Sequence, residues 1–206
     1  MSLSAVRTFV LSGAFCAGVC AAAAVSSVAF DPTYDFIASY AGPRHADLDI
    51  VAFSAQFEST RNVFIFRGRF AGAIGETRNG VYVIGVNRGR GSALLAAIGV
   101  ADALMDGVVI VKNSGVATVA TFEPAFKNSP LSGAAVIKGT EFVVTVPAAM
   151  LPTTGFAIQD YTATLWSRSD GGRNDLVADL APDNGSVRVA IGATGENSRG
   201  GSSVRE

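Results

Sequence analysis

The chain has 206 residues, of which 49% are hydrophobic and 16% are charged, and its formal net charge is −1. A composition this apolar is typical of a packed globular protein and excludes a largely disordered one. The near-zero charge excludes an electrostatic surface for nucleic acid or for an anionic membrane.

The first 29 residues are predicted to be a signal peptide. A single charged residue, Arg7, precedes the uncharged apolar run Thr8–Val25, and Ser27 and Ala29 supply small residues at positions −3 and −1 of a cleavage site. Because no stop-transfer cluster follows, we expect cleavage after Ala29 and a secreted or periplasmic protein without an integral membrane segment. Both cysteines lie in this segment, so the mature chain is expected to have no disulfide and no thiolate ligand.

Short strand patterns dominate the rest of the chain. Apolar residues alternate with other residues over Val51–Phe57 and again over Phe64–Phe70, whereas "GVYVIGV" (Gly80–Val86) is apolar on both sides and predicts a central strand covered on both faces. Further strand-like runs are "GVVIVKN", "VATVATFE", "AAVIKG", "TEFVVTVP", "FAIQDYTATLWSRS", "DLVADL" and "SVRVAI". About ten short strands separated by Asn-Gly and Asp-Gly turns predict an all-β, two-sheet antiparallel β-sandwich of jelly-roll type over residues 30–191.

At most one or two short helical turns are expected. Leu94–Met105 ("LLAAIGVADALM") is rich in Ala and Leu, but Gly99 and β-branched neighbours leave helix and strand both open. Pro147–Leu151 ("PAAML") begins with proline and is followed by Pro152, which predicts a single turn. The Gly- and Ser-rich sequence of residues 192–206 predicts a disordered polar tail.

The chain's only histidine, His45, raises the question of catalysis. No Gly-x-Ser-x-Gly nucleophile elbow accompanies it, and one histidine cannot form the usual zinc ligand set. We therefore expect a solvated loop residue. "NRGRG" (Asn87–Gly91) lacks a following helix and a Walker lysine, so turn chemistry explains it better than phosphate binding does.

Aspartates occur in three pairs, "DPTYD", "ADLD" and "ADLAPDN". If Val51 and Phe53 face the core, Asp49 lies on the same side at the start of the strand, where a carboxylate needs an arginine, backbone N–H groups or a cation. Oxygen-only ligands outside the cell suit a structural Ca²⁺ ion. The candidate ligands are Asp31, Asp35, Asp47, Asp49, Asp179 and Asp183. Ordinary turn aspartates and arginine-paired aspartates are the alternative.

The single tryptophan suggests a second kind of site. In "YTATLWSR", Trp166 and Arg168 fall on the polar face of the strand, and Arg67 and Arg69 point outward on another strand. An exposed indole beside guanidinium groups predicts a platform on which sugar rings stack. The alternative is that a loop or the tail covers Trp166, since tryptophans are highly buried on average.

The order of "DPTYD…DLDIVAF", "EFVVTVPAAML", a late strand ending in "SRSDGG", and the terminal "ADLAPD" resembles the DOMON-like β-sandwiches, which include family-nine-type carbohydrate-binding modules. This resemblance implies a jelly-roll-like sandwich that binds sugar, with structural calcium in some members and haem in others. Haem would require His45, Met105 or Met150 as ligands, and their sequence contexts do not support it. The central "GxYVxGxxRG" strand also resembles uncharacterised exported bacterial proteins.

The sequence thus favours an exported, non-catalytic binding module whose partner is a glycan or a cell-envelope polymer. A structural or self-associating envelope protein without a small-molecule ligand is the alternative. The third hypothesis is a glycosidase that uses paired carboxylates such as Glu58, Glu123 or Asp160, whose spacing the sequence does not determine.

Overall fold

A computed structural model describes residues 27–131, 133, 135–170 and 176–192. Residues 1–26 of the predicted signal peptide and residues 193–206 of the predicted tail lie outside the described residues. Val28–Phe30, at the predicted cleavage site, forms the first strand, and cleavage after Ala29 remains a prediction.

The described strands form two sheets. The first sheet has the order β1-β2-β3-β9-β8, with β13 paired in parallel to β2. Its strands are β1 Val28–Phe30, β2 Ile50–Glu58, β3 Val63–Phe70, β8 Ala135–Lys138, β9 Glu141–Pro147 and β13 Ala190–Gly192. All its other pairings are antiparallel.

The second sheet has the order β11-β10-β4-β5-β6-β7, with β12 paired to β10, and all its pairings are antiparallel. Its strands are β4 Val81–Asn87, β5 Gly107–Lys112, β6 Ala117–Thr121, β7 Lys127–Leu131, β10 Thr162–Arg168, β11 Val177–Ala181 and β12 Val187–Arg188. The predicted all-β, two-sheet sandwich is confirmed.

The main core lies between the two sheets and is rich in aromatic side chains. Phe70 and Phe142 of the first sheet contact Tyr82 of the second, with ring centroids 4.4 and 5.7 Å from that of Tyr82. Phe64 stacks on Tyr161 at 5.6 Å. Such pairs fix how the sheets pack, because they add directional contacts to the burial of apolar area.

The outer face of the second sheet carries a smaller core. The β4–β5 connection, residues 88–106, folds over this face, so that Leu95 and Met105 pack with Val83 and Trp166 in a second apolar cluster. A Cβ atom on Gly85 would lie 2.8 Å from the Trp166 ring, so only glycine fits beneath the indole. All seven residues of β4 are buried, which confirms the central strand predicted to be covered on both faces.

A buried ion pair ties the loops at one end of the sandwich. The Arg88 guanidinium donates to Asp106 Oδ1 at 2.8 Å, to the Pro152 carbonyl at 2.8 Å and to the Glu123 carbonyl at 2.9 Å, and both side chains of the ion pair are at most 1% exposed. Asn87 Oδ1 accepts the N–H groups of the two glycines in "NRGRG". The turn explanation of this motif is confirmed.

The two segments with helical potential form only short 3₁₀ turns. Leu94–Met105 contains one turn, Ala96–Ile98, and Met105 forms an isolated β-bridge with Ser92, so this segment is neither a helix nor a regular strand. The turn predicted in "PAAML" is present as Ala148–Met150. Within residues 27–131, 133, 135–170 and 176–192, no helix has the length and apolarity needed to cross a membrane.

Candidate metal centre

Five of the six aspartates proposed as metal ligands converge beside the start of β2. Asp31 and Asp35 belong to residues 31–40, a segment without strand pairing that we call the strap. Asp49 directly precedes β2, Asp179 lies in the edge strand β11, and Asp183 follows that strand. The centre therefore joins the beginning of the described chain to its last part.

The carboxylates form two groups of three that share Asp35. The inner group is Asp35, Asp49 and Asp179, the outer group is Asp31, Asp35 and Asp183, and in each group the ligand oxygens lie within 4.8 Å of one another. Calcium–oxygen bonds of 2.3–2.6 Å place two ligands on opposite sides of an ion about 4.6–5.2 Å apart. Both groups are thus compact enough to share a calcium ion.

Backbone N–H groups orient the inner carboxylates. Tyr34 N donates to Asp49 Oδ2 at 2.9 Å, while Ile50 N and Leu180 N donate to the two oxygens of Asp179 at 2.6 and 2.9 Å. Tyr34 adopts a positive φ of 66°, which is rare for a residue with a side chain. Asp179 pairs with Ser167 in the second sheet, and its carboxylate reaches Ile50 of the first sheet.

Other carboxylate oxygens in the centre are buried without a hydrogen-bond donor among the described residues. Asp49 Oδ1, both oxygens of Asp35 and Asp31 Oδ2 are in this condition, and Asp49 as a whole is only 1% exposed. None of the ion pairs formed within the described ranges reaches these atoms. A buried carboxylate oxygen without a donor is costly, so a cation is the natural partner.

The protein alone stabilises the ionised centre poorly. Burial, together with the charges of Asp179, Asp183, Asp35 and Asp49, raises the pKa of Asp31 to about 9. Burial and the charges of Asp35 and Asp49 raise the pKa of Asp179 to about 8, against the lowering effect of its backbone hydrogen bonds. Two like charges 4 Å apart repel by roughly 4 kcal/mol at an effective dielectric constant of about 20. A divalent cation bound between the carboxylates would attract each of them and so offset their mutual repulsion.

The donor set discriminates between metals. All five convergent side chains are carboxylates, and the histidine lies elsewhere: His45 is half-buried, and its Nδ1 contacts Thr77 Oγ1 at 3.1 Å. Hard oxygen ligands suit Ca²⁺ or Mg²⁺, whereas zinc and copper favour nitrogen and sulfur. Magnesium demands near-ideal octahedral geometry and retains several waters, so a buried set of several carboxylates fits calcium better.

Asp47, the sixth aspartate predicted to be a metal ligand, is not part of the metal centre. It is fully buried, and its carboxylate accepts the N–H groups of Thr77 and Gly75, at 2.8 and 3.2 Å, and the Thr77 hydroxyl. These donors belong to the turn before β4, so Asp47 anchors that turn and lies outside both aspartate groups. His45, expected to be a solvated loop residue, lies half-buried in a loop, where Thr77 links it to Asp47.

The predicted sugar platform is not accessible. Trp166 is only 2% exposed, because residues 88–106 cover the outer face of the second sheet; the alternative that a loop covers this tryptophan is therefore the correct one. Arg168 lies 5.6 Å from the centroid of the Trp166 ring, and burial lowers the pKa of its guanidinium. Arg67 and Arg69 are exposed on β3 of the first sheet. The four residues therefore do not share one face.

The other candidate residues are dispersed. Glu58 contacts Arg61 at 3.2 Å and Asp160 contacts Arg188 at 3.7 Å, both near the surface. For haem, Met105 is buried beside Gly85, whereas Met150 lines a small pocket with Val119. These methionines share no surroundings with His45.

Comparison with protein-family models, with curated proteins and with solved structures gives no match for this chain.

Proposed function

We propose that this protein is a non-catalytic β-sandwich module that binds Ca²⁺ at the aspartate centre. The observation that carries the proposal is Asp49 Oδ1, a carboxylate oxygen in a residue only 1% exposed, without a hydrogen-bond donor among the described residues. Asp35 and Asp179 place oxygens within 4.8 Å of the Asp49 ligand atom. The inner group is the primary ion site.

The ion has a structural role in this proposal. Its ligands come from the strap, from the start of β2 and from β11, so one ion fastens parts of the chain that backbone pairing leaves weakly joined. An ion that binds only the folded protein stabilises it by about 2.7 kcal/mol at 100 times the dissociation constant. That contribution is large for a protein whose total stability is roughly 5–15 kcal/mol.

Carbohydrate is still the favoured ligand class of the module, now without Trp166 as its platform. Exposed guanidinium groups can donate forked hydrogen bonds to hydroxyl or carboxylate groups of a glycan. Arg67 and Arg69 offer such groups on the outer face of the first sheet, where both side chains are exposed. The dispersal of Glu58 and Asp160 onto separate ion pairs supports a binding role over glycoside hydrolysis.

Calorimetric titration of the purified, chelator-treated protein with Ca²⁺ tests the proposal. We expect saturable binding in the wild type and at least about tenfold weaker binding in Asp49→Asn, which keeps the shape of the side chain but removes its charge. Asp102→Asn is the matched control, because Asp102 is exposed in the 88–106 connection. Absence of calcium binding in the wild type would refute the proposal.

A further inference from the structure

The strap has few connections to the rest of the sandwich. Among the described residues, three hydrogen bonds from its backbone reach beyond it: Asp31 N to the Val51 carbonyl at 3.2 Å, Tyr34 N to Asp49 Oδ2 at 2.9 Å, and Ile37 N to the Ala178 carbonyl at 2.9 Å. No residue of the strap belongs to a strand. Segments with few such bonds open at a lower free energy than the paired strands do.

The Tyr40 hydroxyl also donates to the Pro43 carbonyl at 2.9 Å, and apolar contacts and the aspartate centre add to the attachment. Phe36 and Tyr40 are 8% and 5% exposed and stack with ring centroids 6.0 Å apart. Ile37 packs against both apolar clusters, including the one that contains Trp166. Ile37 thus connects the strap to the cluster that contains the chain's single tryptophan.

The aspartate centre lies across the junction between strap and sandwich. Asp31 and Asp35 are on the strap, whereas Asp49, Asp179 and Asp183 are on the sandwich side. A bound cation attracts both sides, so it holds the junction closed. Without a cation, this attraction is lost, and the strap is held by the few hydrogen bonds and the apolar contacts described above.

We infer that calcium controls the docking of the strap: loss of the ion releases residues 31–40 while the two sheets stay paired. This inference rests on the proposed function and adds a regulated conformational change to it. The paired strands retain their own core, because the Phe70–Tyr82–Phe142 contacts between the sheets do not involve the strap. Release uncovers Phe36 and Tyr40, so the calcium-free protein presents a new apolar surface.

Limited proteolysis with trypsin tests this inference on the full chain. Arg44 is exposed just beyond the strap, and its guanidinium lies 5.7 Å from the centroid of the Phe36 ring when the strap is docked. Arg61, whose side chain is 61% exposed in the β2–β3 turn, is the matched control site. We expect chelation to speed cleavage after Arg44 by at least about tenfold and to leave the rate at Arg61 unchanged, because proteolysis follows the population of the opened state.

Two further readouts make the result decisive. The emission of Trp166 should change with the same calcium dependence as the cleavage at Arg44. Ile37→Ala, which keeps all five carboxylates, should bind Ca²⁺ several-fold more weakly and expose Arg44 at calcium concentrations that protect the wild type.

Each other outcome overturns the inference. Equal acceleration at Arg44 and Arg61 would mean that the whole sandwich unfolds without calcium. Calcium binding by calorimetry with no change at Arg44 would refute strap release and leave the proposed function intact. Failure of calcium to bind at all would remove both.

Discussion

Asp49 and Asp179 come from opposite ends of the described chain and place carboxylate oxygens within 4.8 Å of each other. Asp179 also accepts the N–H of Ile50 at 2.6 Å, so edge strand β11 of the second sheet is joined to the start of β2 in the first. This contact brings two buried carboxylates close together, and the proposed calcium ion would balance their charge.

The calcium-free protein should lose stability as the pH rises to the extent that its strap stays docked. The folded-state pKa values of Asp31 and Asp179, about 9 and about 8, lie above the ordinary aspartate value of 3.8, so the folded state binds these protons more tightly. The resulting stabilisation is fully present below pH about 4 and is lost as the pH rises through about 8–9. In chelator, urea unfolding should give a lower free energy of unfolding at pH 9 than at pH 5.

Calcium should weaken or reverse this trend, because the ion favours the ionised carboxylates. Asp179→Asn removes one of the two titrating groups, so its stability in chelator should vary less over the same pH range. An identical pH profile with and without calcium would contradict the assignment.

Breaking the buried Arg88–Asp106 pair should be strongly destabilising. Arg88→Ala leaves Asp106 as an uncompensated charge in the interior, and loss of one partner of a buried pair costs roughly 3–5 kcal/mol. Arg61→Ala is the control, since its exposed pair with Glu58 should contribute about 0–1 kcal/mol. Chemical denaturation of both variants measures the difference, and similar losses in the two would be inconsistent with the loop-tying role of Arg88.

Replacing Trp166 with a small residue should lower the free energy of unfolding. Trp166→Ala removes a side chain that is 2% exposed and packed beneath residues 88–106, so we expect a loss of about 3–5 kcal/mol in the free energy of unfolding. Arg67→Ala on the exposed face of β3 should change stability by no more than about 0.5 kcal/mol. A stable Trp166→Ala protein would show that the 88–106 cover is loosely packed.

The sequence predicted the structural features that depend on residues close together along the chain. The period-2 alternation is present from Phe53 to Phe57 in β2, but Val51, which was expected to face the core, is half-buried because the register shifts between Ile50 and Ala52. The all-apolar β4 was recognised as a strand covered on both faces. These features follow from strand geometry, since successive side chains point to opposite faces. The aspartate pairs also identified all five residues that converge in the centre.

The features that the sequence did not predict depend on contacts between residues far apart along the chain. The polar face of β10 predicted an exposed Trp166, yet the 88–106 connection covers it, and no local pattern shows where a loop of that length will lie. Asp47 has the same sequence context as Asp49, but Thr77 and Gly75 occupy its oxygens. The partnership of Arg88 with Asp106 was missed because the sequence suggested only a turn at Asn87–Gly91.

A crystal structure of the full chain grown with Ca²⁺, with anomalous scattering recorded at long wavelength, shows whether the inner group of aspartates holds a calcium ion. We expect an anomalous peak within the Asp35–Asp49–Asp179 group, at about 2.3–2.6 Å from their oxygens, as is typical of calcium. Asp49 Oδ1, which lacks a hydrogen-bond donor among the described residues, should be one of those ligands. An ordered inner group without a peak, with its carboxylates paired instead to protein donors, would contradict the account.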